Sequence, residues 1–413
     1  MSRVHVKLTR FEKLNAAPVA LIFVDNDIEP HSASYLLSVL DRGHPLSQIK
    51  TTAFTIKRFF DYCIEYRIDF PACFKRMEPL PSGTIEHLAG FLSARIDTGE
   101  PVDENTFKYR WSHIKAFLKH VWRFYQERVI DPEALKAAQV KQAMMEEALK
   151  EYGTFGYKAD KKDRIGLTPE LKAEFFNIIF PGKENDLNPW KSERIRWRNY
   201  CLFLTMILGS NRKGESLNLT INDFSLTGPA SQPRYFEFQK HDTVMSNYGT
   251  RSIRPAQKTK GRRVVLAPQL AAVFEHYITH IRPKFEGAKR YPHMFLSLRD
   301  GEPISVNTPN ESLKQLIDKH PQFKGLLSPH ILRNTWADML NEALDEKYQH
   351  QGPLAKQGLK AAALEYGGGW TKGSAMVERY PKGSTERAVA ELHLQIHERI
   401  FTESKEESNG KKR

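Results

Sequence analysis

The hydrophobic period of this chain changes along its length, and those changes limit what it can build. From residue 30 to about 150 apolar residues return at helical spacing. In "IKTTAFTIKRFFDYCIEY", Ile49, Ala53, Ile56, Phe60, Cys63 and Ile64 share one side, with Lys57, Arg58 and Asp61 on the other. "FKYRWSHIKAFLKHVWRFY" repeats the pattern with Trp111, Ile114, Phe117, Leu118, Val121 and Trp122, against a basic complement of Lys108, Arg110, Lys115, Lys119 and Arg123. "GTIEHLAGFLSARI" supplies a helix between them, and "DPEALKAAQVKQAMMEEALKEYG" opens on Asp-Pro-Glu and stops at a glycine. Residues 151–166, rich in glycine and lysine, break the period and read as a basic linker. Two more helical stretches follow. Between about 233 and 268 the period falls to two, in "RYFEFQ" and in "RSIRPAQKTKGRRVVLAP", which predicts short strands around a Lys-Gly turn. Helical spacing then returns. The expected fold is mainly α with a small antiparallel β-sheet. It divides into an arm (1–29), a helical domain (30–150), the linker, a second domain (167–400) and a disordered tail (401–413).

Composition narrows the partner. The 413 residues carry a formal net charge of +13, which favours a polyanion, nucleic acid before an anionic membrane surface. Three cysteines, Cys63, Cys73 and Cys201, show no metal-binding spacing and read as reduced thiols of a cytoplasmic protein. The longest apolar runs, "APVALIF" and "CLFLTMIL", are too short to span a bilayer, and the amino terminus lacks the layout of a signal peptide.

Five stretches of the second domain offer residues suited to phosphate chemistry. In "LGSNRKGESLNL" a helix ends at Gly209, and Arg212 and Glu215 follow; a guanidinium beside a glycine turn can bind two phosphate oxygens at once. In "QKTKGRRVVLAP" a turn lysine, Lys258 or Lys260, can reach a DNA groove and give up a proton. "PHILRNT" follows Ser328, a helix start that puts His330 and Arg333 on one face beside free N–H groups. In "YGGGWTKGS" the glycines allow close backbone approach, and Trp370 brings an indole donor. In "SAMVERYPKG" Tyr380 ends a short helix stopped by Pro381, where a phenol can act as nucleophile. Each stretch alone has an ordinary structural explanation.

Their order is more telling. Arginine, hairpin lysine, His-x-x-Arg, a His-or-Trp position and a tyrosine ten residues later resemble the tyrosine recombinase (phage integrase) family. "GSNRKGESLNL" resembles the family's Gly-Leu-Arg-x-x-Glu-Leu box and "PHILRNTWADML" its His-x-Leu-Arg-His-Thr-Phe-Ala-Thr box. Departures are Gly209-Ser210-Asn211 in place of Thr-Gly-Leu, Asn334 in place of histidine, and a shortened hairpin that leaves Lys258 and Lys260 both eligible. The resemblance covers residues 165 to about 395; residues 30–125 match only in pattern.

The resemblance implies a helical core-binding (SAM-like) domain and an α+β catalytic domain. It also implies a site-specific recombinase working through a 3′-phosphotyrosyl link. Tyr380 would be the nucleophile, and Arg212 and Arg333 the clamp on the non-bridging oxygens. Trp370 would add a hydrogen bond, His330 would move a proton, and Lys258 would protonate the leaving oxygen, with Glu215 and Lys260 in support. The implied partner is double-stranded DNA bound by a homotetramer, with accessory DNA-bending proteins and no membrane. No cofactor and no metal are expected, and the setting is the nucleoid. The segment holding Leu392, Leu394 and Ile396 could pack on its own domain or on a neighbouring protomer. The rival readings are a type IB topoisomerase-like enzyme and a catalytically silent DNA-binding protein.

Overall fold

The computed structural model describes residues 4–9, 19–44, 46–153, 166–229, 231–238, 261–368 and 389–400. The chain divides into two compact units, Met1–Lys162 and Asp163–Arg413.

The first unit opens with a sheet where the sequence suggests only an arm. Strands β1 (Val4–Thr9), β2 (Val19–Val24) and β3 (Asp27–Ile28) pair antiparallel in that order. Asp25 and Asn26, both at positive φ, make the two-residue turn between β2 and β3. Val4, Val6, Leu8, Ala20, Ile22 and Val24 join the unit's core. The alternation is there in "VHVKLT", but a strand so short near a terminus is a weak signal.

Six helices follow: α1 (Pro30–Asp41), α2 (Leu46–Glu65), α3 (Phe70–Lys75), α4 (Ser82–Ser93), α5 (Glu104–Gln126) and α6 (Pro132–Glu151). Asp103 and Asp131 cap α5 and α6 by accepting from Thr106 N (3.0 Å) and Ala134 N (2.7 Å). Phe59, Phe60, Phe70 and Phe117 pack edge to face at the centre. Trp111 Nε1 donates to Leu149 O at 2.8 Å and ties α6 to α5.

Two members of the supposed basic surface are taken inward. Arg58 is buried and donates to Phe91 O (2.7 Å) and Ala94 O (2.6 Å), and Arg110 donates to Leu92 O (2.7 Å) and Ala94 O (3.1 Å). The last carbonyls of a helix lack helical partners, and here guanidinium groups supply the donors. Lys108 and Lys119 pair with Glu104 and Glu146. Periodicity placed Arg58 on the outer side, but it cannot see a neighbouring helix end.

In the second unit α7 (Pro169–Ile179) leads to α8 (Glu193–Leu208), whose residues from Arg198 onward are buried all round. A helix without a polar face is a core helix, and the rest of the unit wraps it. After α9 (Lys213–Asn218), strands β4 (Phe224–Ser225), β5 (Arg234–Phe238) and β6 (Arg262–Leu266) form an antiparallel sheet in sequence order. Helices α10 (Pro268–His276), α11 (Thr308–Lys319), α12 (Pro329–Lys347) and α13 (Pro353–Gly368) follow. Residues 389–400 are helical, here α14, and bury Val389, Leu392, Ile396 and Ile400 in the core of their own unit, while Leu394 is half-buried. Ion pairs Lys347–Glu391 (2.7 Å) and Arg399–Glu346 (2.5 Å) flank that contact.

Candidate active site

The helix start anticipated at Ser328 is present: Ser328 Oγ accepts from Ile331 N at 3.2 Å and Pro329 takes the first helical position of α12. His330 is exposed, and Arg333, one turn on, is 5% exposed. Arg333 Nη1 donates to Ser210 O at 2.6 Å and Nη2 to Gly368 O at 2.9 Å. It thereby ties the end of α8 to the end of α13.

Arg212 caps the amino end of α9 at the surface, its side chain 40% exposed. Its backbone N–H donates to Glu215 Oε2 at 3.0 Å, and its Nη1 stands 3.8 Å from Glu215 Oε1. That nitrogen is shielded from solvent and has no hydrogen-bond partner among the described residues. Glu215 is 1% exposed, a carboxylate held inside by cations and backbone.

The turn before Arg212 explains one departure from the resembled box. Ser210 takes a left-handed φ of 52°, the conformation glycine tolerates best, at the place where the box has glycine. Gly209 has no room for a side chain: a Cβ there would lie 2.8 Å from Asn211 Oδ1 and 3.0 Å from Thr205 O. Asn211, standing for an apolar residue, is fully buried, and its Nδ2 donates to Ser216 Oγ at 3.2 Å.

A third arginine, which none of the sequence motifs singles out, completes the cluster. Arg262, the first residue of β6, is 4% exposed, and its Nη2 donates to Gly209 O (2.7 Å), Asn211 Oδ1 (2.9 Å) and Glu215 Oε2 (3.4 Å). A signal for it existed. Arg262, Val264 and Leu266 alternate with Arg263 and Val265, so Arg262 belongs to the buried face of the strand. Burial, then the charges of Arg212 and Arg262, push the Arg333 guanidinium down to about 10, partly offset by Glu215. Burial also lowers Arg262. Two guanidinium groups, Arg212 and Arg262, therefore meet at the Glu215 carboxylate, and a third, Arg333, is held on the same turn at Ser210 O; such a concentration of positive charge attracts an anion.

Other sequence expectations take a structural meaning. Gly367 has a packing role: a Cβ there would lie 2.7 Å from the ring of Trp336, so the glycine lets α13 close on α12. Thr335 Oγ1 accepts from Leu167 N at 2.8 Å and Asp338 Oδ2 from Gly166 N at 2.7 Å, fixing the chain entering the unit onto α12. Lys258, Lys260, Trp370 and Tyr380 lie outside the described residues. Among the described residues no three His, Cys, Asp or Glu side chains gather as metal donors, and no helix is long and apolar enough to cross a membrane.

No family model matches the chain, and no curated protein does. It is similar in structure to XerH site-specific recombinase bound to palindromic difH substrate in a post-cleavage complex. Identity is 16% over 86% of this chain and 83% of that one, with a TM-score of 0.46. A pre-cleavage complex of XerH with difH substrate gives 16% identity over 86% and 84%, and a TM-score of 0.47. A fragment of the Tn1549 transposon integrase in complex with transposon right end DNA gives 14% identity over 88% and 99%, and a TM-score of 0.48.

Proposed function

We propose that this chain is a tyrosine recombinase that breaks and rejoins double-stranded DNA. The observation that carries the reading is the meeting of Arg212, Arg333 and Glu215 around one turn. Two separate stretches of the sequence, each resembling a box of one family, supply these residues. A phosphodiester bound there gives the crowded guanidinium groups the anion that relieves their repulsion.

In this mechanism the Tyr380 phenol oxygen attacks the scissile phosphorus and its proton passes to His330 or to solvent. A phosphorus–oxygen bond forms to the tyrosine, and the bond to the 5′ oxygen breaks. The leaving oxygen takes a proton from Lys258, or from Lys260. Arg212 and Arg333 hold the non-bridging oxygens, whose charge changes most in the transition state, and Trp370 adds a hydrogen bond. Because the phosphodiester energy stays in the covalent link, ATP and metal have no task. Attack by a different 5′-hydroxyl restores the DNA backbone with exchanged strands. The active assembly is a homotetramer on DNA in the nucleoid, assisted by DNA-bending proteins.

The test uses a pool of nicked duplexes with randomised sequence, incubated with the protein in EDTA. Wild type should give a protein–DNA adduct stable to denaturant, and Tyr380→Phe should give none. Equal adduct from Tyr380→Phe moves the nucleophile elsewhere. No adduct from wild type at any sequence leaves a DNA-binding protein. Joining of two different duplexes separates a recombinase from a topoisomerase.

A further inference from the structure

Arg262 reaches every residue of the turn that precedes Arg212. Besides the 2.7 Å bond to Gly209 O and the 2.9 Å bond to Asn211 Oδ1, its Nη2 lies 3.3 Å from Ser210 O, and its Nε 3.3 Å from Gly209 O. The guanidinium lies over the Phe238 ring at 4.7 Å, which fixes its plane. The same Nη2 meets Glu215 Oε2, the oxygen that accepts the Arg212 backbone N–H. From the other side Arg333 holds Ser210 O. Arg262 is therefore the link through which sheet, turn and buried carboxylate are set relative to one another.

We infer that Arg262 is a positioning residue for phosphoryl transfer, acting through Glu215 and the Gly209–Asn211 turn to hold Arg212 at a fixed distance from Arg333. The inference rests on the recombinase reading proposed above. The planar fork is what the task needs, because an ammonium offers its donors from one point and cannot add the separate Nε contact to Gly209 O while a flat group lies on the Phe238 ring.

The experiment is single-turnover cleavage of the nicked duplex recovered from the wild-type adduct, with Arg262→Met, Arg262→Lys and Glu215→Gln. Circular dichroism and adduct amplitude report the folded, active fraction of each. Expected for Arg262→Met is unchanged duplex affinity with a cleavage rate constant lowered about 100-fold, the scale of a small misplacement at a reacting centre. Arg262→Lys should not restore the rate, although it keeps the charge. The double variant with Glu215→Gln should be no slower than Arg262→Met, because the two side chains act as one unit. A reduced amplitude at the wild-type rate constant would make Arg262 merely structural and overturn the inference, as would multiplying rate losses in the double variant. If Arg262→Met does not fold, the rate constant of Arg262→Lys decides in the same way. Absence of any wild-type adduct would strike the recombinase reading itself, an outcome distinct from all of these.

Discussion

Arg333 donates a 2.6 Å hydrogen bond to the carbonyl of Ser210, a residue 123 positions earlier in the chain. That bond joins the helix start at Ser328 to the turn at Gly209, so the proposed phosphate clamp and a packing contact share one side chain.

Arg333 should therefore behave unlike Arg212. Arg333→Met leaves the buried carbonyls of Ser210 and Gly368 without this donor, and should cost about 2 kcal/mol or more in urea unfolding. Arg212→Ala removes a largely surface side chain and keeps the backbone bond to Glu215, so stability should move by no more than about 0.5 kcal/mol. Its adduct formation should nevertheless fall on the order of 100-fold or more. Near wild-type cleavage by Arg212→Ala would remove Arg212 from the phosphate clamp.

Three glycines divide by their surroundings. Gly209→Ala and Gly367→Ala push a Cβ against Asn211 Oδ1 and the Trp336 ring, and each should destabilise by about 1–3 kcal/mol. Gly90 lies inside α4 with open space at its Cβ position, so Gly90→Ala should stabilise by about 0.5–1 kcal/mol. Thermal melts of the three variants check both signs. A stabilised Gly367→Ala would contradict the close approach of α13 to α12.

The docked α14 should depend on pH. His393 and His397 are buried in it, 6.0 Å apart and stacked, and neither nitrogen of His393 has a hydrogen-bond partner among the described residues. Burial first, then the charge of Arg262, lowers His393 from 6.5 to about 4; burial, then His393, also lowers His397 well below its ordinary value. Between those values the unfolded state binds protons that the folded state refuses. Stability is thus full above about 6.5 and falls as pH drops towards about 4. The double variant His393→Leu, His397→Leu should flatten the urea midpoint across that window. A slope equal to wild type would show that other groups set it.

Helices, caps and the alternating strands were readable because each follows from neighbours within a few residues: Asp131 before Pro132, Ser328 before Pro329, Val264 and Leu266 two apart. The four residue positions at Arg212, Glu215, His330 and Arg333 could be singled out because residue type and spacing already point to anion chemistry. Neither the first sheet nor the role of Arg262 could be read with the same ease. Two-residue and six-residue strands offer little period, and a charged residue opening a strand looks solvated until the strand's partners are known. Arg58 and Arg110 went the same way, drawn in by carbonyls at the end of α4. The sequence by itself determined the helical make-up and the chemical character of the residues singled out, since these depend on local pattern. Only the tertiary structure decided that Arg262, Arg333 and Glu215 close on one turn, because burying charge requires partners that lie dozens to more than a hundred residues away.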